Sequence, residues 1–88
     1  MKRIAVISAI LENPEKTQEE FNHIVSSFKG VVKGRLGIPF DREDIAVIAL
    51  TVVSELDDIN AFTGKLGAIE GATVKTAIAR KQLESGDH

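Results

Sequence analysis

Ile4-Ala5-Val6-Ile7 recurs as Ile45-Ala46-Val47-Ile48, an offset of 45 − 4 = 41 residues. At that offset, without a gap, Asn13 falls on Ser54, Phe21 on Phe62, Phe28 on Ile69 and Gly30 on Gly71. The matched positions are those that a strand–helix–strand unit needs. An apolar run comes first, then a residue suited to capping a helix start. A helical apolar stripe follows, and then a glycine where a chain leaving a helix often turns left-handed. Two copies fall short of a solenoid, so the repeat points to one domain of two similar halves.

The elements can be read in order. A first strand is expected over about Arg3 to Leu11, with Asn13 as cap and Pro14 at the first helical position, which proline favours. Phe21, Ile24, Val25 and Phe28 then fall at i, i+3, i+4 and i+7, one buried stripe. A second strand runs from about Val31 to Ile38, and a charged turn from Pro39 to Asp44 leads into a third, about Ile45 to Val53. The second helix is expected after Ser54, with Asp57 standing in for the usual capping-box glutamate. Its inner stripe is Leu56, Ile59, Phe62, Leu66 and Ile69. A fourth strand covers Ala72 to Ala79. The domain is placed at residues 1–80, with Lys81 to His88 a polar tail without a partner.

Two strand–helix–strand units joined by a hairpin predict an α+β, ferredoxin-like βαββαβ fold. Right-handed crossovers place both helices on one face of a four-stranded antiparallel sheet. In the third strand Ile45, Val47, Ala49, Thr51 and Val53 point one way, and Ala46, Ile48, Leu50 and Val52 the other. Two helices cover one face, so the other leaves an apolar patch in water, which a second subunit would cover.

Composition points the same way. A chain of 88 residues is one domain with a marginal core. It has no cysteine, which removes disulfides and thiolate metal sites, and its two histidines, His23 and His88, are far apart. The formal net charge of −2 carries no basic stripe, so direct DNA or RNA binding has little electrostatic support. The apolar start breaks at Glu12-Asn13-Pro14 and reads as a strand, not a signal peptide. Nothing approaches the roughly 18 apolar residues of a membrane span, and the expected location is the cytoplasm.

Two glycine segments are the candidate binding residues. In Gly34-Arg35-Leu36-Gly37-Ile38-Pro39 the glycines suit a bulge, a bend, or close approach of another backbone or a ligand. A twisted hairpin arm reaching across a dimer is one reading, and a ligand-facing Arg35 is the other. In Thr63-Gly64-Lys65-Leu66-Gly67 each helical glycine costs about 0.8–1 kcal/mol relative to alanine. Either close packing or an anion site around Lys65 would account for them. The segment lacks phosphate-loop spacing and does not follow a strand. Asp57 and Asp58 complement a helix N-terminus, and His23 faces water, with Glu19 one turn before it as an ion-pair partner. With no nucleophile–base–orienter set, no catalytic residue is assigned and no cofactor or metal is expected.

Arg3-Ile4-Ala5-Val6-Ile7, Gly34 to Pro39, Asp58-Ile59-Asn60-Ala61-Phe62-Thr63-Gly64-Lys65-Leu66-Gly67 and Gly71-Ala72-Thr73-Val74-Lys75-Thr76-Ala77 stand in the order and spacing of a known family. Over roughly Arg3 to Ala79 the chain resembles iron-only hydrogenase system regulators. The resemblance implies an ACT-like domain, related in fold to the C-terminal domain of nickel-responsive regulators, assembling as a dimer or tetramer. It also implies a regulatory role, including transcriptional regulation of a hydrogenase system. The nickel-binding histidines and cysteine of those regulators are missing, so nickel sensing is not carried over. No segment is left to hold a separate DNA-binding domain. The expected function is a regulatory oligomer that senses a small-molecule effector or binds a protein partner; the alternative is a ligand-free structural or protein-interaction subunit.

Overall fold

The computed structural model describes residues 1–84. In chain order it contains β1 (Lys2–Glu12), α1 (Pro14–Ser26), β2 (Val31–Phe40), β3 (Ile45–Glu55), α2 (Leu56–Gly67) and β4 (Ala72–Leu83). A short 3-10 turn, Asp41–Glu43, links the second and third strands. The strands form one antiparallel sheet in the order β2-β3-β1-β4, the expected ferredoxin-like arrangement. The two repeated tetrapeptides lie on the two central strands, where Ile7 pairs with Leu50 and Ala9 with Ile48.

Alternation along the central strands divides the sheet into two faces. Ala5, Ile7, Ala9 and Leu11 from β1 meet Ile48, Leu50 and Val52 from β3 beneath the helices. Phe21 of α1 and Ile59, Phe62 and Leu66 of α2 close this core, with Ile24, Val25 and Phe28 partly buried against it. Burying side chains of this size contributes about 1.5–3 kcal/mol each, which is what holds two short helices on the sheet. The opposite face carries no element of this chain among the described residues. Ile10 is 46% exposed there, Ile38 44%, Phe40 44% and Leu36 60%.

Four local expectations need correction. Asn13 does not cap α1 with its side chain; it is left-handed (φ 51°, ψ 61°) and makes no side-chain cap bond. The strand runs to Glu12, so one residue must reverse the chain, and asparagine tolerates that conformation. The buried Thr17 hydroxyl does the tethering instead. It lies 3.0 Å from the Glu12 carbonyl oxygen and 3.1 Å from that of Asn13. Ser54 is not a cap either: it is buried at the end of β3, and Glu55 holds the cap position without a side-chain cap bond. The capping box expected from Ser54 and Asp57 is therefore absent.

The remaining two corrections concern boundaries. The turn begins after Phe40 and ends on left-handed Asp44 (φ 56°). β4 continues to Leu83, where Gln82 pairs with Arg3 and Leu83 with Lys2 beyond a register shift. Lys81 to Leu83 thus belong to the sheet and not to an unpaired tail; residues 85–88, His88 included, lie outside the described residues.

The two matched glycines do different jobs. Gly71 is left-handed (φ +92°), as expected after a helix. Gly30 has no such angle. A Cβ there would stand 2.5 Å from Ser54 Cβ and 2.6 Å from the Val53 carbonyl oxygen, so glycine is required for close approach.

Candidate functional site

The first glycine segment lies on β2, an edge strand whose residues are all exposed. Its register against β3 slips between Val32 and Gly34, the bulge that glycine at this point suggested. Beyond the slip Gly34 pairs with Thr51, Arg35 with Leu50 and Gly37 with Ile48. Paired residues share a face, so Arg35 and Gly37 stand on the helix side and Gly34 on the open side. The Arg35 guanidinium Nη2 donates to Asn22 Oδ1 at 2.6 Å. Its Cζ lies 5.7 Å from the centre of the buried Phe21 ring. Arg35 thus covers one side of α1 through a hydrogen bond and a cation–π contact.

The second segment ends α2. No heavy atom outside the immediate chain lies within 4 Å of a Cβ built on Gly64 or Gly67, and the same holds for Gly34 and Gly37. Packing within the described residues therefore explains none of these four glycines. Lys65 borders a small groove of about 110 Å³ between α1 and α2. Its apolar wall includes Phe28 and Phe62, whose rings stack with centroids 4.1 Å apart. Lys29, Asp58 and Ser27 line it as well. A larger groove, about 480 Å³, runs beside the start of α1 between Lys16, Thr17, Glu20 and the Glu70–Gly71 turn.

The six candidate residues thus fall into two groups. Arg35 reaches α1 from β2, at one edge of the sheet. α2 is tied to β4, at the other edge, by the Thr63 and Thr76 hydroxyls 2.9 Å apart. Asn22, Lys29 and Asp58 are polar members of these surroundings that sequence reasoning missed. Asn22 sits outside the apolar stripe of α1 and Lys29 in the connection that follows the helix, and periodicity alone does not distinguish either from a solvated residue. Among the described residues no group of three or more His, Asp or Glu could hold a metal ion. Nor, among the described residues, is any helix long and apolar enough to cross a membrane.

A family model for TM1266-like proteins, described as iron-only hydrogenase system regulators with that role itself marked provisional, matches residues 3–76. The chain belongs to the TM1266-like family. Among solved structures it is similar to the uncharacterized protein TM1266 from Thermotoga maritima, at 32% identity and a TM-score of 0.85, covering 91% of this chain and 100% of that one. The ACT domain of GTP pyrophosphokinase from Chlorobium tepidum superposes with a TM-score of 0.76 at 19% identity, covering 88% and 100% of the two chains. A homoserine dehydrogenase from Thiobacillus denitrificans matches at 15% identity and a TM-score of 0.63, covering 89% of this chain but 17% of that one. These two likenesses show the fold, which is ACT-like. Among curated proteins nothing matches the chain. TM1266-like membership and the ACT-like fold together support a regulatory role.

Proposed function

We propose that the protein is a non-catalytic regulatory module of the cytoplasm, active as a dimer or tetramer, whose assembly responds to a small anionic or amino-acid-like effector. The observation that carries this reading is the set of four glycines, Gly34, Gly37, Gly64 and Gly67, that the chain's own packing does not require. A glycine in a helix interior costs about 0.8–1 kcal/mol relative to alanine, so an unexplained one favours contact with something outside the chain. Arg35 and Lys65 stand within these segments, and with nearby backbone N–H groups they supply the donors an anion requires. The module would act on the transcription or maturation of an iron-only hydrogenase system through a protein that reads its assembly state. Direct DNA binding is not part of the proposal, because a net charge of −2 gives little attraction for a phosphate backbone.

Thermal-shift screening of amino acids, nucleotides and simple anions tests the reading. A stabilising compound whose effect is lost in Arg35→Ala or Lys65→Ala supports it, and no stabilisation by any class counts against it. A second reading is favoured by Gly64 and Gly67, which leave the surface of α2 open to close approach by another helix. On that reading the chain is a ligand-free interaction subunit. Retention of a maturation or transcription protein on the immobilised wild-type chain, lost in Gly64→Leu, would support it.

A further inference from the structure

The groove between α1 and α2 joins a fixed apolar floor to charges that the chain leaves unused. Phe28 is held from two sides. Its ring stacks on Phe62, and a Cβ at Gly30 would stand 2.6 Å from its Cζ, so the glycine lets the ring lie there. Ile24 and Ala61 extend the apolar surface. Ser27 is engaged, its Oγ donating to the Ile24 carbonyl oxygen at 2.9 Å. Lys29, Asp58 and Lys65 are not: among the described residues none of their side chains has a hydrogen bond or an ion pair. The lining thus sets two ammoniums against one carboxylate, in a chain whose net charge is −2. Asp58 and Lys65 stand two turns apart on one side of α2, about 10 Å along its axis.

We propose that this groove docks an extended, acidic segment of a partner protein, with one apolar side chain on the surface of Ile24, Phe28 and Ala61 and flanking carboxylates at Lys29 and Lys65. The proposal deepens the interaction-subunit reading above and rests on it. Size selects a segment over a free ligand. Pockets that hold a whole small molecule enclose about 300–1,000 Å³. This groove offers about 110 Å³, room for a single anchoring side chain. A free compound with so few contacts does not offset its lost translational and rotational freedom, whereas a segment shares that cost with the rest of its protein. Charge selects the chemistry. Carboxylates meet the two unpaired ammoniums, and Asp58 accepts from a backbone N–H of the segment. An extended chain rises about 3.3 Å per residue, so three residues span the two turns from Asp58 to Lys65.

Nitrogen–proton correlation NMR of the full chain, titrated with a blocked peptide of leucine flanked by glutamates, tests this. The amide signals of Ser27, Lys29, Ala61 and Lys65 are expected to shift together at millimolar peptide. Lys29→Glu and Lys65→Glu are each expected to weaken binding about fivefold, and Asp58→Asn to strengthen it about twofold. Both lysines are exposed, so these variants keep the fold. A peptide with glutamines in place of the glutamates should bind more weakly and be indifferent to both lysine changes. Absence of shifts in the groove overturns the proposal, as do lysine variants that bind the acidic peptide unchanged. Free leucine or acetate giving the same shifts with equal affinity makes the occupant a small molecule and overturns it too. An inert groove beside protein retention that Gly64→Leu still abolishes overturns this site alone. An inert groove with no protein retained overturns the interaction-subunit reading with it.

Discussion

Phe28 and Phe62 stack with ring centroids 4.1 Å apart and planes inclined at 19°, joining the connection after α1 in one strand–helix–strand unit to the helix of the other. Neither ring sits opposite its own repeat counterpart: Phe62 matches Phe21 and Phe28 matches Ile69. The stack is therefore a contact between halves that no local pattern encodes. Phe62 is 4% exposed and Phe28 half-buried. Phe62→Ala is expected to cost about 3–5 kcal/mol of unfolding free energy, and Phe28→Ala clearly less. Urea denaturation followed by circular dichroism measures both.

The glycines separate into required and unrequired ones. Gly30→Ala puts a methyl group 2.5 Å from Ser54 Cβ and is expected to destabilise by roughly 1–3 kcal/mol. Gly64→Ala meets open space on a helix and is expected to stabilise the isolated chain by up to about 1 kcal/mol. If Gly64 serves an effector or partner, that gain in melting temperature comes with a weaker ligand or partner response. Differential scanning calorimetry with and without the bound compound reads both changes.

The start of α1 depends on Thr17 and not on a side-chain cap at Asn13. Thr17→Val keeps the shape but leaves the carbonyls of Glu12 and Asn13 without the hydroxyl, at an expected cost of about 1–2 kcal/mol. Asn13→Gly is expected to be neutral or stabilising, since it relieves a left-handed backbone and removes no cap bond. The denaturant midpoint should fall in Thr17→Val and hold or rise in Asn13→Gly. Loss of stability in Asn13→Gly comparable to that in Thr17→Val would show that the asparagine side chain does hold the turn.

Arg35 contributes modestly to the chain's own stability. Its hydrogen bond to Asn22 and its place over Phe21 are exposed contacts, so Arg35→Ala is expected to cost about 0.5–1 kcal/mol. Arg35→Lys keeps the charge but loses the planar fork and should recover only part of that. A loss of effector response in Arg35→Lys much larger than its stability change would place the guanidinium in contact with the effector.

The repeat, the two apolar stripes and the alternation of β1 and β3 were enough to determine the ferredoxin-like order and the face that the helices cover. These signals are local in sequence, because a strand has a period of two and a helix one of 3.6. Alternation likewise made the uncovered apolar face legible. The candidate binding residues were legible only as oddities: two glycine segments with a cation in each. Tertiary structure decided that Arg35 reaches Asn22 and Phe21, that Lys65 borders a groove with Lys29 and Asp58, and that the two segments belong to opposite edges of the sheet. It also decided that Asn13 is a left-handed reversal, that Ser54 crowds Gly30, and that β4 continues to Leu83 beyond a register shift. Each of these depends on which distant backbone lies beside a residue. Cross-strand register and close approach between halves set that, and a residue's own neighbours in sequence do not carry the information.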